Sequence, residues 1–497
     1  MIGAGSAAAL EKLWNVALPD QCPRILMLFP DEPLAHSTGG AVRAWQFLKT
    51  LAELGSVRAC VASVGQDASV VFSETATVMI ERVPGGEQCG IPARGLAISR
   101  LFSLLLAPWR NRGHQLVLAG HNVCVSRSGT HGFSWLHWCY GAVLLLVFTV
   151  LRKLLPQQFD SSDVQIRSNL LNWHLQKLQR EKDTYWPDII WIEHTYMFSV
   201  AEQLKALYPN AMLAVNAHNV EGRLKQSIAE QHHTWLGRCW GVQESRLLCA
   251  MEQRMMDAAN VVACCSESDR RRFDELKTAN HQPPGQRLFV APNGVDTAHF
   301  HRLENRRCEK TVIFSGTAGY APNDDAVAWL LHDIWPLIQQ THSDATLIIA
   351  GRNARKCWDS LAQNSSGVQL YSDVDDMRPL LTRAAVAVVP LRSGSGTRLK
   401  ILEAFSMEIT VVSTTIGAEG LEAQHERELL LADCEQQFAA QVCRLLGDPA
   451  ESLRIASAGR HLAERKYDWE LISTAVRTEL VAALGDNSAG DVRPDAE

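Results

Sequence analysis

A loop of small residues between an apolar run and an amphipathic stretch is the most constraining feature of the sequence. Val386–Leu391 is apolar apart from its proline, and Ser393-Gly-Ser-Gly-Thr-Arg-Leu-Lys-Ile-Leu-Glu403 follows it. This order predicts a buried strand, a Gly-rich turn and then a helix. Gly394 and Gly396 let the backbone approach an anion, and the free N–H groups at the start of the helix point to the same place. The loop therefore predicts a phosphate site.

Side chains around this loop add hydroxyl groups, positive charge and one carboxylate. Ser395 and Thr397 offer hydroxyls, Arg398 and Lys400 follow at the start of the helix, and Glu403 lies further along it. Because a carboxylate accepts hydrogen bonds from sugar hydroxyls, the pattern indicates a diphosphate joined to a ribose. The alternative is an ordinary strand-to-helix turn with a solvated arginine and lysine.

A second glycine-containing turn lies near the start of the chain. Pro23–Pro30 is apolar between its prolines, Gly39 and Gly40 close the polar turn after it, and Val42–Leu54 has an amphipathic pattern. Strand, loop and helix in this order open a nucleotide-binding type of βαβ layer, although no GxGxxG fingerprint indicates a dinucleotide. The alternative for the glycines is a tight turn beside a solvated Arg43.

Polar residues close two apolar runs in the middle of the chain. Trp186–His194 and Ala211–Asn216 are predicted strands, and Ala217-His-Asn-Val-Glu221 follows the second. Side chains at the carboxyl ends of parallel strands project into the ligand crevice of an α/β sheet. His194 and His218 are therefore candidate site residues, and the alternative for each is a satisfied core or capping histidine.

Five ordered segments in the second half carry a family resemblance. In order and spacing they resemble the nucleotide-sugar half of the GT-B glycosyltransferases, specifically the retaining family 4 and its "GGGTRLKILEA" Gly-rich-loop subgroup. The segments are Ala291–Phe300, Phe314–Asn323, Ile348–Arg352, Ser393–Glu403 and Ser413–Leu421.

The resemblance implies an α/β protein of the GT-B fold, with two Rossmann-like domains facing across a cleft. A length of 497 residues agrees with more than one domain. The expected segments are a flexible leader at 1–22, an acceptor-binding domain at 23–295 with an apolar insertion at about 100–160, a nucleotide-sugar-binding domain at 296–465, a helix at 466–484 that crosses back to the first domain, and a disordered tail at 485–497.

The activity implied by the resemblance is transfer of a sugar from a nucleoside-diphosphate sugar to a hydroxyl acceptor, with retention of the anomeric configuration. Negative charge then builds on the β-phosphate as the glycosidic bond loosens, so donors aimed at that phosphate accelerate the reaction. We expect no cofactor beyond the nucleotide-sugar substrate, whose base the sequence does not name. We also expect no metal, since Asp324-Asp325 and Asp375-Asp376 are better interpreted as acids at helix starts.

Site residues carry over from the family position by position. His218, Arg398 and Lys400 are the expected catalytic residues, with His218 contacting the transferred sugar and acceptor region and the two cations contacting the phosphate. Glu403 is expected to bind ribose hydroxyls. The expected donor-binding residues are Gly39, Gly40, Gly316, Gly394, Ser395, Gly396, Thr397 and Glu403.

Two positions depart from the family pattern. Ser395 stands where many members carry a glutamate, as the Gly-rich-loop subgroup tends to have a small residue there. Glu408 stands where the family has a glycine after the helix, in the stretch that usually reads "AMAMGKPVV". Left-handed geometry at a helix end is unstrained only for glycine, so this replacement is expected to cost ~1 kcal/mol.

Composition limits the partners and the compartment. The 48 Lys and Arg residues against 54 Asp and Glu give a net charge of −6, so a nucleic-acid partner is not expected. Thirteen scattered cysteines, with no CxxC pair and no His/Cys cluster at metal-ligand spacing, indicate a reduced cytoplasmic chain.

One uncharged apolar run, Phe133–Leu151, leaves three structural alternatives open. It is a membrane-contacting helix, a buried domain helix or a true membrane span. The first alternative favours a lipid-linked or sugar acceptor, a membrane surface as a partner at the inner face of the membrane, and a role in cell-surface polysaccharide assembly. The competing functions are a catalytically silent GT-B subunit with a binding role and a GT-B sugar-nucleotide epimerase.

Overall fold

The computed structural model describes eleven stretches of the chain. The apolar run 133–151 and loop residues 394–397 lie outside them. No helix among the described residues is both long enough and apolar enough to cross a membrane. The described residues are 22–30, 39–64, 68–71, 77–83, 162–230, 235–277, 283, 285–302, 310–363, 365–393 and 398–488.

The chain divides into two compact units. The first runs to Cys264, adds 269–289, and takes the chain from Arg477 onward. The second comprises 290–476 together with 265–268. Each unit has its own sheet of mainly parallel strands and its own core, so the prediction of two Rossmann-like α/β domains is confirmed.

The first unit is built on an eight-stranded sheet. Its strands are β1 (Arg24–Phe29), β2 (Ser56–Val64), β3 (Ala68–Val71), β4 (Thr77–Val83), β5 (Ile189–Glu193), β6 (Met212–Ala217), β7 (Val261–Cys264) and β8 (Arg287–Val290). The helices of this part of the chain are α1 (Gly39–Ala52), α2 (Ser162–Arg180), α3 (Phe198–Leu207), α4 (Glu221–Glu230), α5 (Trp235–Ala258) and α6 (Glu267–Glu275), with a 3₁₀ turn at Thr195–Met197.

Strand order in the first sheet is β3-β4-β2-β1-β5-β6-β7-β8, and β3 runs antiparallel to β4. Strands β5 and β6 are buried along their whole length, as expected for central strands covered by helices on both faces. The order changes direction between β1 and β5, and crevices at such switch points are where open α/β sheets bind ligands. Helix α1 begins at Gly39, earlier than predicted, so both glycines belong to its first turn.

The second unit has a six-stranded parallel sheet in the order β11-β10-β9-β12-β13-β14. Its strands are β9 (Thr311–Ser315), β10 (Thr346–Gly351), β11 (Val368–Ser372), β12 (Val386–Val389), β13 (Thr410–Ser413) and β14 (Leu430–Leu431). Its helices are α7 (Ala321–Trp329), α8 (Trp335–Thr341), α9 (Ala354–Ala362), α10 (Arg378–Arg383), α11 (Leu399–Ser406), α12 (Glu435–Gly447) and α13 (Pro449–Leu462), with π-helical turns at Leu330–Ile334 and Ala463–Tyr467.

The helical region after β9 is interrupted by the first π-helical turn. Pro336 stands at the start of α8, where its missing N–H cannot bond back to the preceding turn. The switch point of this sheet lies between β9 and β12, since the order reverses there. Helix α7 follows β9 and helix α11 follows β12, so both helices begin beside this crevice.

The helix predicted at 466–484 begins later than predicted, at Trp469, because the chain is extended at Asp468. Tyr467 and Trp469 form backbone hydrogen bonds with Val295 at 2.8 and 3.1 Å, and this bridge interrupts the helical pattern. The last helix, α14 (Trp469–Ser488), restarts after it, with Oδ1 of Asp468 accepting a hydrogen bond from the backbone N–H of Glu470 at 2.9 Å.

Glu408 adopts the left-handed conformation expected from the family pattern, with φ of 52°. Its N–H donates to the carbonyl oxygen of Phe405 at 3.0 Å, and the N–H of Ile409 donates to that of Ala404 at 2.9 Å. These bonds close the end of helix α11. The Glu408 carboxylate also forms a 2.9 Å ion pair with Arg302.

A pair of substitutions isolates the backbone strain at this position. We expect Glu408→Gly to be more stable than Glu408→Ala by about 1 kcal/mol, because only glycine adopts positive φ without strain. Both variants lose the ion pair with Arg302, so that loss cancels in the comparison. Chemical denaturation of the two variants measures the difference, and equal stabilities would show that the strain is absent.

Candidate functional sites in the two units

A buried carboxylate at the end of β5 receives three hydrogen bonds in the first unit. Oε1 of Glu193 accepts from Nε1 of Trp191 at 2.7 Å. Oε2 accepts from Nδ2 of Asn216 at 2.9 Å and from Nε2 of His218 at 2.8 Å. Burial raises the pKa of Glu193, but the bonds from His218 and Trp191 outweigh it and hold the pKa below its usual value. Glu193 is therefore a carboxylate.

His218 is the neutral partner of this carboxylate. Burial and the neighbouring His194 ring lower the pKa of His218 to about 3, so the ring carries one proton at neutral pH. That proton is on Nε2, where it is donated to Glu193, and Nδ1 is left as a hydrogen-bond acceptor. A Cβ built on Gly40 would lie 3.6 Å from Nδ1, so the acceptor faces the first turn of α1. The structure thus brings two predicted site residues, Gly40 and His218, together.

Arg43 extends this network from helix α1. Its Nη2 and Nε donate to Oδ1 of Asn216 at 2.7 and 3.1 Å, and its guanidinium stands 4.6 Å from the centre of the Phe47 ring. The side chain is 1% exposed, so the alternative of a solvated Arg43 is wrong. Arg43, Asn216 and Glu193 form a continuous hydrogen-bonded chain that orients His218.

His194 packs directly on His218. The centres of these two rings lie 3.7 Å apart, and their planes are nearly parallel. The ring of Tyr196 also stacks on His194, with 4.8 Å between the ring centres. The His194 backbone has φ of 70°, a conformation that costs a non-glycine residue energy and is found at functional sites. This histidine, which the sequence placed at a strand end, therefore lies at the site.

Glu252 is a buried acid that the sequence interpretation missed. It reaches from helix α5 to the start of helix α4, where Oε1 accepts the N–H of Glu221 at 2.6 Å and Oε2 accepts that of Gly222 at 3.4 Å. Burial raises the pKa of Glu252 to about 8. No local signal could have found it, because the residue caps a helix thirty-one positions earlier in the chain.

Lys400 forms the centre of the site in the second unit. Its Nζ lies 3.1 Å from Oδ1 of Asn323 and 4.4 Å from the centre of the Phe314 ring. Desolvation and the positive charge of Arg398 lower the pKa of Lys400 to about 7. Its ammonium group forms no ion pair with a carboxylate of the described residues. It is a desolvated cation that a bound anion would stabilise.

Arg398 and Glu403 flank this lysine on helix α11. Arg398 is the N-cap residue of the helix, and burial lowers the pKa of its guanidinium. Burial also raises the pKa of Glu403, which is one helical turn beyond Lys400. Two cations whose charged forms are both disfavoured by burial therefore stand at the start of one helix, beside the switch point. The predicted loop residues Gly394, Ser395, Gly396 and Thr397 lie outside the described part of the chain.

Gly316 is held tightly where strands β9 and β10 end. A Cβ at Gly316 would lie 2.9 Å from the side chain of Asn323, and a Cβ at Gly351 would lie 1.7 Å from the Gly316 carbonyl oxygen. Asn323 in turn donates from Nδ2 to the Thr317 carbonyl at 2.9 Å. Because glycine has no Cβ, Asn323 packs against position 316 and reaches Lys400. This contact explains why a glycine stands at the predicted site position 316.

The pairs of acidic residues considered above as metal ligands have other partners. Asp324 lies in the first turn of α7 and accepts from the Gly319 N–H at 3.0 Å and from Nε1 of Trp358 at 2.8 Å. Asp376 accepts from the side chain of Arg378. These contacts agree with structural roles for both aspartates.

Part of the second unit matches a family of known enzymes. Residues 309–448 match the family model for glycosyl transferases group 1. The match includes Gly316, Asn323, Arg398, Lys400 and Glu403, and it ends before the last two helices.

Curated relatives are distant. The chain is 25% identical over 350 residues to glycogen synthase of Mycobacterium tuberculosis, covering 68% of this chain and 78% of that protein. It is 23% identical over 198 residues to an uncharacterized 44.6 kDa protein in the cps region of Klebsiella pneumoniae, covering 38% of this chain and only half of that relative.

Solved structures resemble the chain over most of its length. Sucrose-phosphate synthase from Thermosynechococcus elongatus superposes with a TM-score of 0.59 at 15% identity, covering 93% of this chain and 99% of that one. Anabaena HepE in complex with UDP and glucose gives 0.54 at 12% identity, covering 93% and 100%. The chain has the GT-B fold, and its second unit carries a glycosyl transferases group 1 domain.

The Lys400 site and the cluster around Glu193 differ in whether the family model covers them. The Lys400 site lies in the segment that the family model covers, whereas His218 and Glu193 lie outside it. Trp191, Asn216 and Glu252 were not predicted as site residues. A usable signal existed for Asn216, because it pairs with Glu193 across neighbouring strands that both turn polar at their ends.

Proposed function

We propose that this glycosyltransferase uses a nucleoside-diphosphate sugar as donor and a hydroxyl group as acceptor, retains the anomeric configuration, and needs no catalytic metal. The observation that carries the proposal is the desolvated ammonium of Lys400 beside Arg398, with no carboxylate of the described residues paired to it. A site of this kind is suited to a dianionic diphosphate.

The chemistry follows from where charge develops. As the bond between the sugar and the diphosphate breaks, negative charge accumulates on the leaving oxygen of the β-phosphate. Lys400 and Arg398 stabilise that charge more than the ground state, which lowers the barrier. They supply the positive charge that a metal ion supplies in other phosphate sites, and this supports a metal-independent reaction. Glu403 accepts hydrogen bonds from the ribose hydroxyls in this proposal.

The first unit is proposed to hold the transferred sugar and the acceptor through His218. A neutral histidine with its Nε2 proton fixed on Glu193 presents Nδ1 as an acceptor for a sugar hydroxyl. Arg43 and Asn216 keep Glu193 and His218 in place, so the ring is ready before the substrate binds.

The comparisons guide the choice of donor and pathway class. HepE was solved with UDP and glucose, and a trehalose-phosphate synthase from Burkholderia vietnamiensis with a TM-score of 0.56 is described as UDP-forming. These neighbours support testing uridine diphosphate sugars first. The Klebsiella pneumoniae relative lies in a cps region, which supports a role in cell-surface polysaccharide or glycoconjugate assembly at the cytoplasmic face of a membrane.

The test is a donor panel in the presence of a chelator. UDP, GDP, ADP and dTDP sugars are incubated with the protein and a hydroxyl acceptor mixture, and nucleoside diphosphate release and the product anomer are followed by NMR. The proposal expects one nucleotide series to be turned over without added metal, with the donor configuration kept. Turnover that depends strictly on added magnesium, or an inverted product, would overturn the corresponding part of it.

Donor affinity should depend on pH in a way that reports the Lys400 proton. Because the pKa of Lys400 is about 7 in the ligand-free protein, a bound diphosphate must restore its proton at higher pH. We expect the Kd of the donor to rise by about tenfold per pH unit above pH 7 and to level off below it. Calorimetry with an intact sugar nucleotide measures this, because the charge of a diphosphate diester is constant over the range. A flat profile between pH 7 and 9 would contradict it.

A further inference from the structure

Three buried side chains of the first unit meet on the other side of β1 from the Glu193 cluster. Cys60 lies on β2, Glu81 on β4 and His174 on helix α2, and they are 1%, 7% and 2% exposed. One sulfur, oxygen or nitrogen atom from each lies within 4.8 Å of the others. The reaction proposed above uses none of them.

The histidine of this cluster is oriented as metal-binding histidines are. Nε2 of His174 lies 2.9 Å from the carbonyl oxygen of Val61, so this nitrogen carries the proton and donates it. Nδ1 is buried and has no hydrogen-bond partner among the described residues. A histidine whose one N–H is fixed by a backbone carbonyl presents its other nitrogen as a lone pair, which is the common arrangement around bound metals.

Both oxygens of the Glu81 carboxylate contact cations, and Oε2 also faces the cysteine. Oε1 of Glu81 forms ion pairs with Arg58, at 2.9 Å from Nε, and with Lys177, at 3.2 Å from Nζ. Oε2 lies 3.9 Å from Sγ of Cys60 and 3.1 Å from Nη2 of Arg58. Arg58 also pairs with Glu181 at 2.7 Å, so two cations are already balanced by two carboxylates. The thiol is the remaining group that can add negative charge.

We propose that Cys60, Glu81 and His174 bind a zinc ion that stabilises the first unit. A sulfur, a nitrogen and a carboxylate oxygen are the ligand types zinc takes in proteins, and bond lengths of about 2.0–2.3 Å put ligand atoms about 3.3–3.8 Å apart. The 3.9 Å between Cys60 and Glu81 is close to that separation. The thiol loses its proton to solvent as the zinc–sulfur bond forms, and the fourth position is open to a solvent molecule.

The nearby lysine supplies a test that distinguishes a metal site from a hydrogen-bonded cluster. Lys177 places a positive charge beside the carboxylate that would bind the ion, so it opposes metal binding. Lys177→Met is therefore expected to tighten zinc binding by about tenfold or more. A cluster held together only by hydrogen bonds and ion pairs would be weakened by the same substitution and would gain no metal affinity.

The experiment uses the full chain after treatment with a chelator. Titration with zinc is expected to give one tightly bound ion per chain and a raised Tm, and cobalt is expected to give a thiolate-to-metal charge-transfer band with the d–d bands of a four-coordinate ion. Cys60→Ser and His174→Gln should lose the charge-transfer band and the stoichiometric binding. Cys264→Ala, which removes a buried cysteine on another strand of the same sheet, should keep both.

Three results would overturn the proposal. The first is the absence of a charge-transfer band in the unaltered chain, and the second is binding that Cys60→Ser leaves unchanged. The third is a Lys177→Met variant that stays folded and binds zinc no more tightly than the unaltered chain. None of these readouts depends on sugar transfer, so failure of this proposal leaves the proposed activity untouched.

Discussion

Replacing Lys400 with methionine is expected to remove most donor binding while the ligand-free protein stays folded. Methionine keeps the length and apolar contact of the stem over Phe314 but removes the charge that would face the phosphate. Loss of one preorganised donor to a developing anion costs about 10²–10³ in rate. We therefore expect kcat/KM to fall by that factor, measured as nucleoside diphosphate release at saturating acceptor.

Stability should change in the opposite direction to activity. The pKa of Lys400 lies below its ordinary value of 10.5, so the unfolded chain holds this proton up to higher pH than the folded chain does. The free energy of unfolding of the unaltered protein therefore rises between pH 7 and 10.5 through this group, and the full cost of the buried charge is present below pH 7. Lys400→Met removes that cost, so the variant is expected to be at least as stable as the parent at pH 6.

Lys356→Met is the matched control, because Lys356 is exposed on helix α9 and its charge is solvated. It should keep both donor affinity and kcat/KM. A Lys400→Met variant that binds the donor as tightly as the parent would exclude the diphosphate role assigned to this lysine. A variant that loses activity only through unfolding would be recognised by a lower Tm without ligand.

The fold was predictable because its signals are local and repeated. Apolar runs of strand length alternate with amphipathic stretches throughout the second half, and the strand predicted in Val386–Leu391 is β12 in the structure. Errors fall where a long-range contact overrides the local pattern. The bridge between Val295 and Asp468 interrupts a stretch that is helical by composition, and no pattern near residue 468 encodes it.

The candidate sites were predictable only in part, for the same physical reason. Lys400 and Gly316 stand in motifs that follow strands, so topology alone places them at the switch point. Glu252 in helix α5 caps the start of helix α4. His174 contacts Val61, which lies 113 residues earlier in the chain, beside Cys60. Side chains that meet across the sheet leave no spacing pattern in the sequence.

Replacing Glu193 with glutamine is expected to reduce both stability and activity. The carboxylate accepts from Trp191, Asn216 and His218, and an amide offers one oxygen acceptor and an NH₂ group that must face one of these donors. A buried donor left unpaired costs about 1–3 kcal/mol, so we expect Glu193→Gln to lose that much free energy of unfolding.

The difference in free energy of unfolding between the parent and Glu193→Gln should become smaller at acidic pH. Hydrogen bonds hold the folded pKa of Glu193 below the 4.5 of the unfolded chain. Its stabilising contribution is therefore fully present above pH 4.5 and disappears as the pH falls through the lower folded pKa. Urea denaturation of parent and variant at pH 7 and at pH 4 measures the narrowing. A difference that is constant over this range would show that Glu193 is not ionised in the folded protein.

Activity should fall beyond what the lost stability explains, because Glu193 fixes the proton of His218 on Nε2. With glutamine in its place, the ring is free to adopt the other tautomer, and Nδ1 is no longer held as an acceptor. Partners that orient a functional histidine are typically worth about 10–100-fold, so kcat should fall by that factor at a temperature where both proteins are folded. Glu275→Gln, on the exposed side of helix α6, is the control and should leave kcat unchanged. If Glu193→Gln retains the parent kcat, His218 acts without a fixed tautomer, and the network that joins Arg43, Asn216 and Glu193 serves packing alone.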